Sequence, residues 1–267
     1  MTHSLITQWK NLQSKTNNCL CIGLDPDITQ LPTGYSSNLT GLSNFLKDII
    51  DASITQCIAY KPNISFFEAY GIDGLNLLSE IINHIDQTVP VIIDGKRGDI
   101  GNTSAMQAKY IFDYFNADAT TLHPYMGLDS LEPFFKYQDK FNFVLGLTSN
   151  PGSKDFEELP LKNNTTLAST VIQTLSHWNK TYQNIGVVVG ATDNKLTEAR
   201  NIDPDLLFLI PGVGKQGGTY ETAYNAGKNL TDLALINVSR GISGAVKNKQ
   251  SIKTDINDAI QAIIKPL

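Results

Sequence analysis

Short apolar runs, many of them β-branched, recur along the chain, and each is followed by a longer stretch whose apolar residues return every three or four positions. This alternation predicts buried strands separated by amphipathic helices. The runs fall at residues 19–24, 57–60, 89–93, 118–122, 141–147, 185–189, 206–210 and 234–238. Helical spacing is clearest at 4–16 (Leu5, Ile6, Trp9, Leu12), at 40–54 (Leu42, Phe45, Leu46, Ile49, Ile50) and at 65–85 (Phe66, Phe67, Leu75, Leu78, Ile81, Ile82). Further helices are expected near 101–115, 127–137, 164–179, 194–201, 219–230 and 250–264. Eight such units predict an α/β protein closed as a (β/α)8 TIM barrel. An open doubly wound sheet would also alternate, but no GxGxxG follows the first run. No linker or low-complexity stretch divides the chain, so residues 1–267 are expected to form a single barrel domain with an extra N-terminal helix.

In such a barrel the C-terminal ends of all strands meet on the face that carries active sites. Polar residues collect at those ends: Asp25, Lys61, Asp94 with Lys96, Ser149, Gln216 and Arg240 each follow an apolar run. The densest stretch is Val91-Ile-Ile-Asp-Gly-Lys-Arg-Gly-Asp-Ile-Gly-Asn-Thr103. In an extended chain residues i and i+2 share a face, so Asp94 and Lys96 should emerge side by side. Asp99 stands where a helix through Thr103, Ala105, Ala108 and Ile111 should begin, in position to cap it. Taken alone, an Asp–Lys pair at a strand end also fits a surface ion pair, stabilising by about 0–1 kcal/mol. The wider pattern decides between the two. Strand ends that alternate Asp, Lys, Asp, Lys imply one pocket in which each charge keeps its neighbours ionised, because a lone buried charge would neutralise instead. A second cluster, Pro211-Gly-Val-Gly-Lys-Gln-Gly-Gly218 with Asn237-Val-Ser-Arg-Gly241, sits after the last two runs. Glycine-rich loops there are a frequent phosphate site of the fold, and bare N–H groups beside a guanidinium suit a dianion.

Composition narrows the function classes. A net charge of -5 and no long basic run argue against a nucleic-acid partner. No apolar run approaches the length of a membrane span, and the first ten residues lack the apolar core and cleavage site of a secretion signal, so a cytoplasmic protein is expected. Cys19, Cys21 and Cys57 form no CxxC and read as buried free thiols. There is no HxH, HExxH or His/Cys cluster, which makes a dedicated metal site unexpected. Ser149 has no evident His and Asp partners for a hydrolase triad. His123 precedes a proline and reads as structural.

The pattern Asp94-x-Lys96-x-x-Asp99-Ile100-x-x-Thr103 resembles that of orotidine 5'-phosphate decarboxylases. Gly23-Leu-Asp25, Lys61-Pro-Asn63, Ser149-Asn-Pro-Gly152, Pro211-Gly-Val-Gly-x-Gln216 and Ser239-Arg-Gly241 recur in the matching order. The wording Lys-Arg-Gly-Asp-Ile-Gly and the length resemble the longer, bacterial-type branch of that family. The resemblance implies conversion of orotidine 5'-phosphate to uridine 5'-phosphate and CO2 in pyrimidine synthesis, without metal or organic cofactor. It implies Lys96 as carbanion stabiliser and proton donor, flanked by Asp94 and Asp99. It also implies a homodimer with shared active sites, in which Asp99, Ile100 and Thr103 serve the partner subunit's site. Asp25 and Lys61 would hold ribose hydroxyls, Ser149 the ring amide edge, and Gln216 with Arg240 the phosphate. Residues 152–160 and 213–219 would be closing loops. Asp-x-Lys-x-x-Asp alone is shared with related sugar-phosphate decarboxylases and aldol-type synthases. Such a lyase on the same barrel, or a non-catalytic phosphate-ligand binding protein, therefore stands as the alternative.

Overall fold

The strands are short and apolar on both faces because each is packed between the barrel interior and a layer of helices. The computed structural model describes residues 3–162, 165–214 and 218–264. In chain order the elements are α1 (Ser4–Thr16), β1 (Leu20–Leu24), α2 (Leu39–Ser53), β2 (Ala59–Pro62), α3 (Ile64–Glu68), α4 (Gly71–His84), β3 (Ile92–Arg97) and α5 (Gly101–Lys109). They continue with β4 (Ala119–Leu122), α6 (Leu128–Phe135), β5 (Phe141–Leu147), α7 (Ser153–Phe156), α8 (Leu167–Tyr182), β6 (Ile185–Val189), α9 (Asp193–Ile202) and β7 (Phe208–Pro211). Last come α10 (Tyr220–Gly227), β8 (Leu235–Val238), α11 (Arg240–Ser243) and α12 (Ile252–Ile263). Among the described residues the sheet has eight strands in the order β2-β1-β8-β7-β6-β5-β4-β3, each neighbouring pair parallel. Its two outer strands meet through parallel bridges Tyr60–Val91 and Asn63–Asp94, and Tyr60 N–H donates to Pro90 O at 3.0 Å. The predicted barrel is what forms.

Helix α1 lies across the N-terminal end of the strands. Trp9, fully buried, packs its indole on Phe141 and Phe143 at centroid distances of 5.4 and 5.9 Å. Gln8 Nε2 donates to Thr88 O on one side of that end, and Gln13 Nε2 to Asp232 O on the other.

Four expected elements are corrected. The helix expected over 65–85 is two helices, because Gly71 adopts a left-handed φ of +65° and turns the chain between α3 and α4. The helix expected over 101–115 is α5 followed by one turn of π-helix at Tyr110–Tyr114. The second and third strands run further than their apolar residues, through Pro62 and Arg97. Lys61, Asp94 and Lys96 thus lie within strands and not in the loops that follow them.

Candidate active site

The site is built where β3 departs from regular pairing. Ile93 stands opposite Thr120 and Arg97 opposite Leu122, so residues 94–96 face Thr121 alone. Bulges of this kind bend a strand and re-aim its side chains. Here the backbone takes a left-handed φ of +44° at Lys96, a conformation costing a non-glycine residue of order 1–3 kcal/mol. Lys96 N–H donates to Thr121 Oγ1 at 3.0 Å, a side chain standing in for the lost ladder carbonyl. Asp94 and Lys96 do emerge together, as expected. The bulge, and not simple alternation along an extended strand, brings them there.

Asp94 is the hub. Its Oδ2 accepts from Lys61 Nζ at 2.5 Å, while Oδ1 accepts from Lys96 Nζ at 2.6 Å and from Thr121 Oγ1 at 2.8 Å. Burial by itself would raise the Asp94 carboxyl's pKa; the ammonium groups of Lys61 and Lys96 outweigh it and hold the pKa well below the usual carboxylate range. Burial would likewise lower the pKa of Lys61, but the charges of Asp94 and Asp25 outweigh it and leave the pKa above the ordinary lysine value. The two lysines differ in access. Lys61 is 6% exposed at its side chain and Lys96 48%, so Lys96 is the cation presented to a ligand.

Asp25 ends β1 and accepts a hydrogen bond from the Ser239 hydroxyl at the end of β8. Glycine at position 23 permits this approach, since a Cβ there would lie 2.7 Å from Ser239 Cβ. The other carboxylate oxygen of Asp25, Oδ1, is buried and has no hydrogen-bond partner among the described residues. Ser149 follows β5 in a loop anchored from two sides. Thr148 N–H donates to Glu157 Oε2 at 2.6 Å, and Lys195 Nζ reaches both Thr148 O at 2.9 Å and Glu158 Oε1 at 2.7 Å. Arg240 begins α11 at the exposed rim, opposite the loop after β7, where Gly212 turns the chain with a φ of +101°.

A cavity of about 340 Å³ opens at this end of the barrel, walled by Asp25, Lys61, Asp94, Lys96, Ser149 and Arg240. Leu145, Val188 and Leu209 give it an apolar side. Six of the residues singled out in the sequence therefore share one cavity. Gln216 lies outside the described residues. Asp99, Ile100 and Thr103 do not line the cavity of their own chain. Asp99 also fails as the helix cap. Ile100 occupies the N-cap position of α5, and among the described residues Asp99 accepts from the adjacent Ile100 N–H at 2.7 Å, one residue too early to reach the amides of the first turn. His123 lies outside the cavity wall, its backbone N–H donating to Arg97 O at 3.0 Å.

The sequence reading missed Thr121 and Ser239 as individual site residues. For Thr121 the available signal was two threonines in the otherwise apolar run Ala119-Thr-Thr-Leu122. The first of them, Thr120, spends its hydroxyl on Ile93 O at 2.9 Å; the second faces the cavity. Among the described residues no group of three or more His, Cys, Asp and Glu side chains is disposed to hold a metal ion. No described helix is long and apolar enough to cross a membrane.

Comparison with known proteins gives a consistent result. The model of the Orotidine 5'-phosphate decarboxylase / HUMPS family matches residues 18–254. An orotidine 5'-phosphate decarboxylase of Flavobacterium johnsoniae is 44% identical over 232 residues, 85% of this chain and 84% of that protein. One from Dehalococcoides mccartyi is 44% identical over 238 residues, covering 87% and 86%. Among solved structures, Leishmania donovani OMP decarboxylase superposes with a TM-score of 0.84 at 34% identity, over 99% of this chain and 100% of that one.

Proposed function

The chain belongs to the orotidine 5'-phosphate decarboxylase family, and we propose that its reaction, conversion of orotidine 5'-phosphate to uridine 5'-phosphate and CO2 in pyrimidine synthesis, is carried by Lys96. The observation that carries this reading is the Lys61–Asp94–Lys96 array lining the cavity, with Lys61 and Asp94 buried and Lys96 as its accessible end. Loss of CO2 leaves an electron pair on the pyrimidine ring, and nothing in the ring readily absorbs it. An ammonium held at that carbon stabilises the developing charge and then delivers the proton that replaces CO2. The neutral amine regains a proton from solvent. At 4 Å and an effective dielectric near 20 one such contact is worth ~4 kcal/mol. Enzymatic accelerations require roughly 8–23 kcal/mol, so binding through the remote phosphate and ribose must also be used to hold the ring against Lys96.

The remaining roles follow from chemistry and position. Asp94 orients Lys96 through the 2.6 Å contact between its Oδ1 and the lysine Nζ. The unpaired Oδ1 of Asp25 is an acceptor suited to a ribose hydroxyl, and Lys61 completes that contact. Arg240 takes the phosphate and Ser149 the amide edge of the ring; Gln216 is assigned to the phosphate by its motif alone. The continuous apolar core from Leu5 to Ile260 supports treating residues 1–267 as one domain. Asp99, Ile100 and Thr103 are assigned to the site of a second subunit. They stand outside their own cavity, and Ile100, Met106 and Tyr125 nearby are exposed by 58, 54 and 85%. That apolar exposure supports a homodimer.

The test is to mix purified protein with orotidine 5'-phosphate and follow the ultraviolet change on conversion to uridine 5'-phosphate. Turnover is expected, with release of CO2; no turnover would sink the reading. For the shared site, Lys96→Ala and Asp99→Ala subunits are each expected to be nearly inactive, yet to recover roughly a quarter of wild-type activity after random exchange. No recovery despite confirmed exchange would place Asp99 in its own subunit's chemistry or outside it altogether.

A further inference from the structure

Lys96 is tied at both ends to one hydroxyl–carboxylate pair. Its backbone N–H donates to Thr121 Oγ1 at 3.0 Å, and its Nζ donates to Asp94 Oδ1 at 2.6 Å. Thr121 joins the two partners, since its Oγ1 lies 2.8 Å from the same Oδ1. The polarity of the ring is forced. Lys96 N–H can only donate, so Thr121 Oγ1 accepts there, and its single proton is left for Asp94. Thr121 is 2% exposed and β-branched, so its hydroxyl has little freedom to point elsewhere. It is also the β4 residue facing the bulge, where Lys96 holds its left-handed φ of +44°.

We infer that Thr121 is a positioning residue for the decarboxylation: its hydroxyl holds the Lys96 backbone and the Asp94 carboxylate in register and so sets the direction from which the Lys96 ammonium meets the ring. The inference rests on the decarboxylase reading and goes beyond it. Without the hydroxyl, Lys96 N–H lacks its acceptor and the bulge loses the bond that replaces the sheet ladder. Asp94 keeps both lysines but loses one donor, and Lys96 swings about an unpinned backbone. Ground-state binding is carried by groups at the rim and at Asp25, so it is little affected. The damage falls on the transition state, where the nitrogen must meet one carbon.

The test compares Thr121→Val, which keeps the shape and loses the hydroxyl, with Thr121→Ser, which keeps the hydroxyl. For the valine variant kcat on orotidine 5'-phosphate should fall roughly 10- to 100-fold. Its KM should stay within roughly threefold of wild type. The serine variant should recover most of the lost kcat. Folding of each is read by thermal denaturation. If the valine chain does not fold, Thr121→Ala against Thr121→Ser is measured instead, with the same order expected. An unchanged kcat in the folded hydroxyl-free variant overturns the inference. So does an equal loss in the serine variant, or a loss confined to KM. Wild type that turns over while these results fail leaves the decarboxylase reading standing; wild type without turnover removes both.

Discussion

At the N-terminal end of the barrel the buried groups are Trp9, Phe141 and Phe143, packed ring against ring beneath α1. At the C-terminal end they are Lys61 and Asp94, two charges nearly as inaccessible as the indole. The first end is held by non-directional burial, which tolerates repacking if volume is kept. The second is held by a closed set of donors and acceptors in which removal of one partner strands another. Substitutions at the first end are therefore expected to change stability and to leave the chemistry alone. At the other, Lys61 and Asp94 are the buried members that hold the structure together, while Lys96 is half exposed in the cavity.

The sharpest way to break this contrast is Asp94→Asn. It should cost roughly 3–5 kcal/mol of stability at neutral pH, because Lys61 is left buried without its nearest anion, and activity should be lost as well. Its pH dependence carries a sign. The Asp94 pKa lies below its ordinary value of 3.8 in the folded chain, so its contribution is fully present above 3.8 and is lost as pH falls through the folded pKa. The Lys61 pKa is raised above 10.5, so that contribution is present below 10.5 and is lost as pH rises through the folded pKa. Denaturant unfolding at a series of pH values should show the gap between wild type and Asp94→Asn flat across neutral pH and shrinking below 3.8. A gap that persists unchanged in acid would mean that the carboxylate charge is not what stabilises.

The next largest effects form a pair with opposite signatures. Lys96→Ala should lower kcat by about a thousandfold, the equivalent of ~4 kcal/mol. Its stability should change by no more than about 1 kcal/mol, since the side chain is half exposed and Asp94 retains Lys61. Trp9→Ala should do the reverse, costing about 3–5 kcal/mol in unfolding while kcat of the folded fraction is kept. Parallel unfolding curves and steady-state kinetics check both. A Trp9→Ala variant that folds well but turns over slowly would show that the two ends are coupled.

Arg240→Ala comes third. A lost charge-assisted bond should weaken phosphorylated ligands by about 1.5–3 kcal/mol and leave the phosphate-free nucleoside nearly unaffected, as calorimetric titration would show. Equal losses for both ligands would make Arg240 a structural residue. Smallest of all is the effect expected from thiol reagents. Burial pushes the pKa values of Cys19 and Cys57 up to about 12, and Cys21 is raised by burial as well. Alkylation near pH 8 should leave the native chain unmodified and active, and mass spectrometry should find all three thiols modified only after denaturation.

Much of the fold and of the site is written in the order of residues. The alternation of short apolar runs with helical periodicity determines the strand and helix order, because burial on one stripe or on both faces is a local matter of spacing. The placement of Asp25, Lys61, Asp94, Lys96, Ser149 and Arg240 after successive runs determines that they share one mouth, because a closed parallel barrel brings all those ends together. What the tertiary structure decided is finer and non-local. The bulge in β3 arises from pairing with β4, so the left-handed Lys96 and the threonine opposite it are not visible in the stretch 91–103. The bond from Ser239 to Asp25 joins residues at the two ends of the chain and depends on the bare α-carbon of Gly23. Asp99 shows the same limit: spacing brought it to the start of a helix, but only the turn after Arg97 directs it away from its own cavity. Periodicity records which face is buried; the direction of a single side chain is set by what packs against it from elsewhere in the chain.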